Sequence, residues 1–383
     1  MDFGLPEEEK ILVKDIKNFM KREVTPIIEE YEERRELPPL ALIKKLIPFG
    51  YIGGPLAEEE GGHGISYSLY GILMEELGKT WCSLQVIIMS INSVLSNISR
   101  FGTKYQKEKF IPLLLSGEKI VFIAITEPYV GSDIKSMETS AVLDGKNYII
   151  SGTKTLITNG SVADFGILFA TTNKNKGEKG ISAFIVEKNI SKYSTSNIKK
   201  MGLYSSVLSD ISLSNSIIPR ENLLGQEGEG YRIALETVNN ARFITSCTLV
   251  GVAQAAIDAS LKYAKTRYQF GKQIGSFQLV QQLIVDMIVE TEAARFLSYR
   301  VGPLLDKRIR CDREVSIAKL FSSQIALDVA MKAIQIHGGY GYTEDYPLVR
   351  YYRDIRHLTV ADGTSEIQTL IIGRDILGVS AFN

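Results

Sequence analysis

One carboxylate near the end of the chain has small and hydroxylated neighbours: Asp362 in Ala361-Asp362-Gly363-Thr364-Ser365-Glu366-Ile367. Placed in a cleft, it can take a proton as a general base. It can equally cap the helix expected to begin near Thr364, because Asp caps well. Further stretches gather hydroxyls, glycines and a guanidinium. Thr126-Glu127-Pro128-Tyr129-Val130-Gly131-Ser132-Asp133 follows a β-branched run and, taken alone, reads as a surface turn. It is followed by Gly152-Thr153-Lys154-Thr155-Leu156-Ile157-Thr158-Asn159-Gly160 and, much later, by Arg267-Tyr268-Gln269-Phe270-Gly271-Lys272. Gln335-Ile336-His337-Gly338-Gly339-Tyr340-Gly341 is glycine-rich, but no strand precedes it and its spacing is wrong for a nicotinamide-dinucleotide turn. Glycines that end a long helix would still expose backbone amides to a phosphate.

Other chemistries find no support. His63, His337 and His357 form no HExxH or paired Cys/His spacing, so no metal is expected. Cys82, Cys247 and Cys311 are few and odd in number, which suits buried reduced thiols rather than a disulfide framework. Forty-four basic and 44 acidic residues cancel, so no global field favours nucleic acid or an anionic membrane. The N-terminus lacks the basic flank and apolar run of a secretory signal, and no uninterrupted apolar run reaches the ~20 residues that span a bilayer. A cytoplasmic protein without a membrane span is the expectation.

With 383 residues, 45% of them hydrophobic, the chain should form two or three packed domains. Apolar positions recur at helical spacing from Pro6 to Val24, Leu40 to Ile47, Tyr67 to Leu77 and Tyr105 to Leu115. Short β-branched runs follow at Val121 to Ile125, Tyr148 to Ile150, Phe165 to Ala170, Gly180 to Glu187 and Val207 to Leu213, with Asp144-Gly145 as a hairpin turn. Long helical patterns then cover Tyr231 to Arg267, Gln278 to Leu305, Arg313 to Ile336 and Glu366 to Leu377. The expected fold is α+β: an N-terminal helical domain (1–118), a central β-barrel or sandwich (119–228) and a C-terminal four-helix-bundle domain (229–383).

In this order the motifs resemble those of the acyl-CoA dehydrogenase family, over essentially the whole chain from Phe3-Gly4-Leu5 to Ile371-Ile372-Gly373-Arg374. The resemblance implies an extended FAD between the β domain and the C-terminal helices, in a homotetramer whose neighbouring subunit completes the cofactor site. It places Ile125, Thr126, Gly131 and Ser132 along the flavin, with Ile157 and Thr158 on its other side. It assigns the pyrophosphate and adenine half to Arg267, Gln269, Phe270, Gln335, Gly338 and Gly339, completed by Thr364 and Glu366. Ser132, Asn239, Arg242 and Gly363 would contact the substrate, an acyl-CoA, and an electron-transfer flavoprotein would receive the electrons.

The same resemblance makes Asp362 the base that removes the thioester α-proton as hydride departs from the β-carbon. The family commonly has Glu there, and losing one C–C bond withdraws the carboxylate by about 1.5 Å. A misplacement of about 1 Å can cost roughly 100-fold in rate, so an acyl group that sits closer, short, branched or alicyclic, is expected. Some family members carry the base earlier, but Asn239-Asn240-Ala241-Arg242-Phe243 holds no acid. Arg242 either grips the CoA side of the substrate or is an ordinary surface arginine. Ser136-Met137-Glu138-Thr139 is similar to glutaryl-CoA dehydrogenases, yet Val86-Ile87-Ile88 stands where their carboxylate-binding arginine would be. An uncharged acyl group follows, since a second carboxylate would be buried unpaired. Leu156 replaces a usual aromatic residue. Two alternatives remain: a thioester borne by a carrier protein, which shares phosphopantetheine with CoA, or a flavin-binding protein without dehydrogenase activity.

Overall fold

The computed structural model describes residues 5–381. Its first part is helical: α1 (Glu7–Phe19), α2 (Ile28–Arg34), α3 (Leu40–Leu46), α4 (Tyr67–Thr80), α5 (Cys82–Phe101) and α6 (Lys104–Leu115). The termini are set by side chains. Ser66 accepts from Leu69 N at the start of α4, while the distant Asp306 carboxylate takes Tyr67 N and the Ser68 hydroxyl. Thr103 and Gln106 form a reciprocal capping box on α6. On α5, Leu84, Ile87, Ile88, Ile91, Val94, Leu95 and Ile98 all lie in the core.

One eight-stranded sheet follows: β1 (Val121–Ala124), β2 (Ser140–Asp144), β3 (Asn147–Thr158), β4 (Phe165–Thr171), β5 (Ile181–Glu187), β6 (Ser194–Asn197), β7 (Leu208–Pro219) and β8 (Leu223–Leu224). Its order is β6-β7-β3-β2-β4-β5-β8, with β1 parallel to β4. Asp144 pairs with Asn147 across a two-residue turn in which Gly145 has φ +59°, the left-handed geometry that such hairpins need. Register shifts at Ile150/Gly152 and Lys154/Ile157 bend β3 against β7. At the second of these, Leu156 is driven to φ +56° and left 56% exposed.

The last part is again helical: α7 (Gly230–Thr266), α8 (Gln278–Tyr299), α9 (Gly302–Asp306), α10 (Asp312–His337), α11 (Leu348–Leu358) and α12 (Ser365–Leu377), with the ribbon β9 (Tyr268–Gln269) and β10 (Lys272–Gln273) between α7 and α8. The single helix expected from Gln278 to Leu305 is broken before Pro303, which sits in the first turn of α9. α11 was not anticipated, because Arg350, Arg353, Asp354 and Arg356 dilute an apolar face that is nonetheless buried through Leu348, Ile355 and Leu358. α5 and α7 are long and apolar enough to cross a membrane, but 78% of the most apolar window of each is buried inside the fold.

A polar clasp ties the three parts together. Glu32 accepts from Trp81 Nε1 at 2.8 Å, Ser83 Oγ at 2.6 Å and Tyr204 N at 3.0 Å. On α11, Asp354 accepts from Leu203 N at 2.6 Å, and burial, reinforced by Glu32, pushes its carboxyl up to about 7.

Candidate active site and cofactor cleft

Asp362 lies in the turn between α11 and α12, and four donors from three helices converge there. Asp362 has φ +58° and Gly363 φ +90°, so the chain passes through two left-handed residues; Asp tolerates this better than most side chains. A Cβ on Gly363 would come within 2.9 Å of Gln368 Nε2 and 3.1 Å of an Arg242 terminal nitrogen, so the second position must be glycine. Arg242 Nε, from α7, donates to the Asp362 carbonyl at 2.8 Å. Gln368 Nε2, from α12, and Lys319 Nζ, from α10, donate to the Gly363 carbonyl at 2.8 and 2.9 Å. The carboxylate itself accepts from Thr245 Oγ1, on α7, at 2.8 Å through Oδ2.

Two alternatives from the sequence are thereby removed. The N-cap of α12 is Thr364, whose Oγ1 accepts from Ile367 N, so the Asp362 carboxylate does not cap that helix. Arg242 is only 7% exposed and is no surface arginine. Basic groups surround the turn: burial pulls Lys319 down to about 8 against the opposing pull of Asp362, and burial likewise lowers His357. Asn239 lies one turn before Arg242 on the same face of α7, with its Oδ1 buried and without a partner among the described residues.

The two hydroxyl-rich segments meet at the end of β1. Thr155 N donates to the Thr126 carbonyl at 3.0 Å, and the buried Lys154 Nζ bridges the Ile125 carbonyl at 2.9 Å and Glu127 Oε1 at 2.7 Å. Glu127 also accepts from the backbone N–H groups of Glu138 and Thr139. Burial works against its charge, but Lys154 and these donors prevail and hold Glu127 below its ordinary range. This pair anchors the turn that exposes Tyr129, Gly131 and Ser132. Ile125, Thr126 and Thr158 are half-buried beside it, whereas the Ile157 side chain is 2% exposed in the core, which leaves only its backbone for a ligand.

A cleft of about 540 Å³ lies at the far end of α7 and brings together Arg267, Gln269, Gly338 and Gly339. Tyr263, His337 and Tyr340 also line it. The Tyr263 and His337 rings stack at 4.2 Å, and the Arg267 guanidinium lies over Tyr340 at 5.6 Å. His337 Nδ1 is 2.8 Å from the Ala333 carbonyl, which assigns its proton to Nδ1 and leaves the buried Nε2 as an acceptor without a partner among the described residues. Burial lowers the His337 pKa, keeping the ring neutral. Gly338 ends α10 at φ +60° and ψ −136°, so the C-cap and phosphate-contact interpretations coexist. Phe270, 91% exposed at φ +50°, and the exposed Gln335 lie outside this cleft, and Thr364 and Glu366 sit beside Asp362 instead.

These residues fit an extended dinucleotide. A Cβ added to Gly131 or Gly339 meets nothing within 4 Å and neither has a positive φ, so among the described residues neither neighbours nor backbone conformation gives a reason for glycine there. From the sequence, His337 enters only to reject a metal site and Tyr340 only within the glycine-rich motif, and no role is assigned to Tyr263, Lys319, Gln368 or Thr245. Thr245, three residues beyond Arg242 on a helix, was recoverable from spacing alone.

Profiles of the acyl-CoA dehydrogenase N-terminal, middle and C-terminal domains match residues 6–118, 123–216 and 228–377. The short-chain specific acyl-CoA dehydrogenase of Clostridium acetobutylicum is 38% identical over 98% of this chain and 100% of its own length. The caffeyl-CoA reductase-Etf complex subunit CarC of Acetobacterium woodii is 37% identical over 97% of this chain and 98% of its own. A glutaryl-CoA dehydrogenase from Mycobacterium smegmatis, solved in complex with FADH2, superposes with a TM-score of 0.93 at 28% identity, covering 99% of this chain and 97% of that one. The chain belongs to the acyl-CoA dehydrogenase family, as an FAD-dependent oxidoreductase acting on CH–CH donors.

Proposed function

We propose that this enzyme forms the α,β double bond of an uncharged acyl-CoA, with Asp362 as the base. The observation that carries this is the fixation of Asp362: its backbone is clamped by Arg242 and Gln368 while its carboxylate is held separately by Thr245. The α-proton passes to Asp362, the β-hydrogen leaves with its electron pair, and Cα=Cβ forms. Bound FAD supplies the hydride acceptor. Asn239, on the α7 face that carries Arg242, offers its unpartnered Oδ1 to the substrate, and the exposed Ser132 faces outward from the flavin-side turn. Val86, Ile87 and Ile88 are at most 2% exposed and supply no cation for a second carboxylate, which favours an uncharged acyl group, while the short Asp362 side chain favours a short, branched or alicyclic one.

Two copies must share each cofactor. Lys135 Nζ lies 5.8 Å from the Tyr231 ring, placing the flavin-side turn at the start of α7, whereas the cleft lies at Tyr263 and Arg267 at its end. Thirty-six residues of helix, from Tyr231 to Arg267, separate them by roughly 54 Å at 1.5 Å per residue. One dinucleotide cannot bridge that distance within a chain. The exposed apolar side chains Leu279, Val285, Ile288 and Val289 give α8 a face for a second copy, in keeping with a homotetramer. An electron-transfer flavoprotein is the proposed acceptor and the cytoplasm the proposed location.

Anaerobic titration with straight, branched and alicyclic acyl-CoAs, followed at the flavin absorbance, tests the reaction and names the acyl class. Asp362→Asn should retain FAD and lose bleaching by substrate. Full bleaching in that variant would remove Asp362 from its role.

A further inference from the structure

Thr245 stands apart from the other hydroxyls of α7. Thr237, Ser246, Thr248, Ser260 and Thr266 each donate to a carbonyl three or four residues back in their own helix. Thr245, fully buried, instead sends its proton across to Asp362 Oδ2 at 2.8 Å. That hydrogen bond is not needed to shape the turn, because Arg242, Gln368 and Lys319 already hold the carbonyls of Asp362 and Gly363. What Thr245 adds is control of the side chain, whose rotation about χ1 and χ2 the backbone clamps leave open.

We propose that Thr245 is the positioning residue for the short base: it holds Oδ2 and thereby presents Oδ1 to the substrate α-proton. The proposal rests on Asp362 being the base. A Glu at this position would have one more rotatable bond with which to find the proton; Asp has less reach, so its orientation must come from outside. The charged or titratable groups around the turn are Arg242 on α7, Lys319 on α10, His357 on α11 and Glu366 on α12. None of them replaces a directed bond to Oδ2 when Thr245 is changed.

The test uses FAD-loaded Thr245→Val, which keeps the shape and removes the donor, with Thr245→Ser, which keeps the donor. Two readouts separate positioning from mere folding. The first is the split between KM and kcat in flavin reduction by an acyl-CoA. The second is exchange of the α-hydrogens of phenylacetyl-CoA with D2O, which requires proton removal but offers no β-hydrogen. Thr245→Val should keep FAD and an unchanged KM and lose ~10-fold in kcat and in exchange. Thr245→Ser should restore both. If Thr245→Val does not fold, Thr245→Ala carries the same expectation. Undiminished kcat and exchange in Thr245→Val overturn the proposal, as does a Ser variant impaired as much as the Val variant. Undiminished exchange in Asp362→Asn would instead overturn the assignment of the base, so the two failures are distinguishable.

Discussion

Gly339→Ala separates what the chain needs for folding from what the cofactor needs. Its added Cβ meets no heavy atom within 4 Å, and Gly339 is not among the left-handed glycines. Apoprotein stability should therefore move by no more than ~0.5 kcal/mol, or rise slightly as the unfolded chain loses freedom. If the open space is where backbone approaches the cofactor phosphates, the methyl group overpacks that contact by ~1–3 kcal/mol. At 1.4 kcal/mol per tenfold, FAD affinity should fall by ~5- to ~140-fold. Gly338→Ala is the contrast: at φ +60° and ψ −136° an L-residue is strained, so it should also destabilise the apoprotein, by ~1–3 kcal/mol. Urea unfolding of the apoproteins, titration with FAD by flavin fluorescence, and sedimentation to check assembly give the three numbers required. Unchanged FAD affinity in Gly339→Ala with assembly intact, or an apoprotein as destabilised as Gly338→Ala, would refute the placement of the cofactor at this turn.

Two further outcomes follow from buried charges. Glu127→Gln leaves Lys154, which is 0% exposed, without its counter-charge and should cost ~3–5 kcal/mol in urea unfolding at pH 7, with loss of FAD as the flavin-side turn loosens. Because the folded pKa of Glu127 lies below its ordinary 4.5, its contribution is present above pH 4.5 and lost as pH falls through the folded value; the variant should show a weaker acid loss in that window. Asp354 has the opposite sign: raised from 3.8 to about 7, it favours the fold below pH 3.8 and loses that contribution as pH rises through 7. Asp354→Asn keeps an acceptor for Leu203 N and should raise the melting temperature more at pH 8 than at pH 5; equal shifts at both would show that its charge is not the issue.

The legibility of this chain divides along the range of the forces involved. Helical periodicity and turn chemistry are local, and they disclosed the α, β, α order, the Gly145 hairpin and the helix stop at Gly338. α11 escaped because burial of Leu348, Ile355 and Leu358 depends on α7 and α10 rather than on its own composition. The break at Gly302 escaped for a similar reason: a Cβ there would come within 2.7 Å of Ser68 Cα, a constraint set on the opposite side of the sequence. His337 was visible as a residue, but its acceptor role follows only from the Ala333 carbonyl that fixes its proton.

Asp362 shows most clearly what composition can and cannot tell. Its identity reveals a carboxylate one methylene shorter than the family commonly uses, and from that alone the reach of the base looks diminished. The structure changes the terms of the comparison, because reach is set by backbone position as well as side-chain length. A left-handed residue followed by a left-handed glycine turns the Asp362 carbonyl onto Arg242 and its carboxylate onto Thr245, two residues three apart on one helix. The proposed base is therefore referenced to α7 at both ends, and α7 also carries Asn239, the residue proposed to meet the substrate. A short side chain with fixed ends has fewer conformations to lose on the way to the transition state than a long one with a free end. On that ground Asp362→Glu should not be a gain: the extra methylene would push the carboxylate past the Thr245 hydroxyl, and kcat with the best substrate of the wild type should fall although the base is retained.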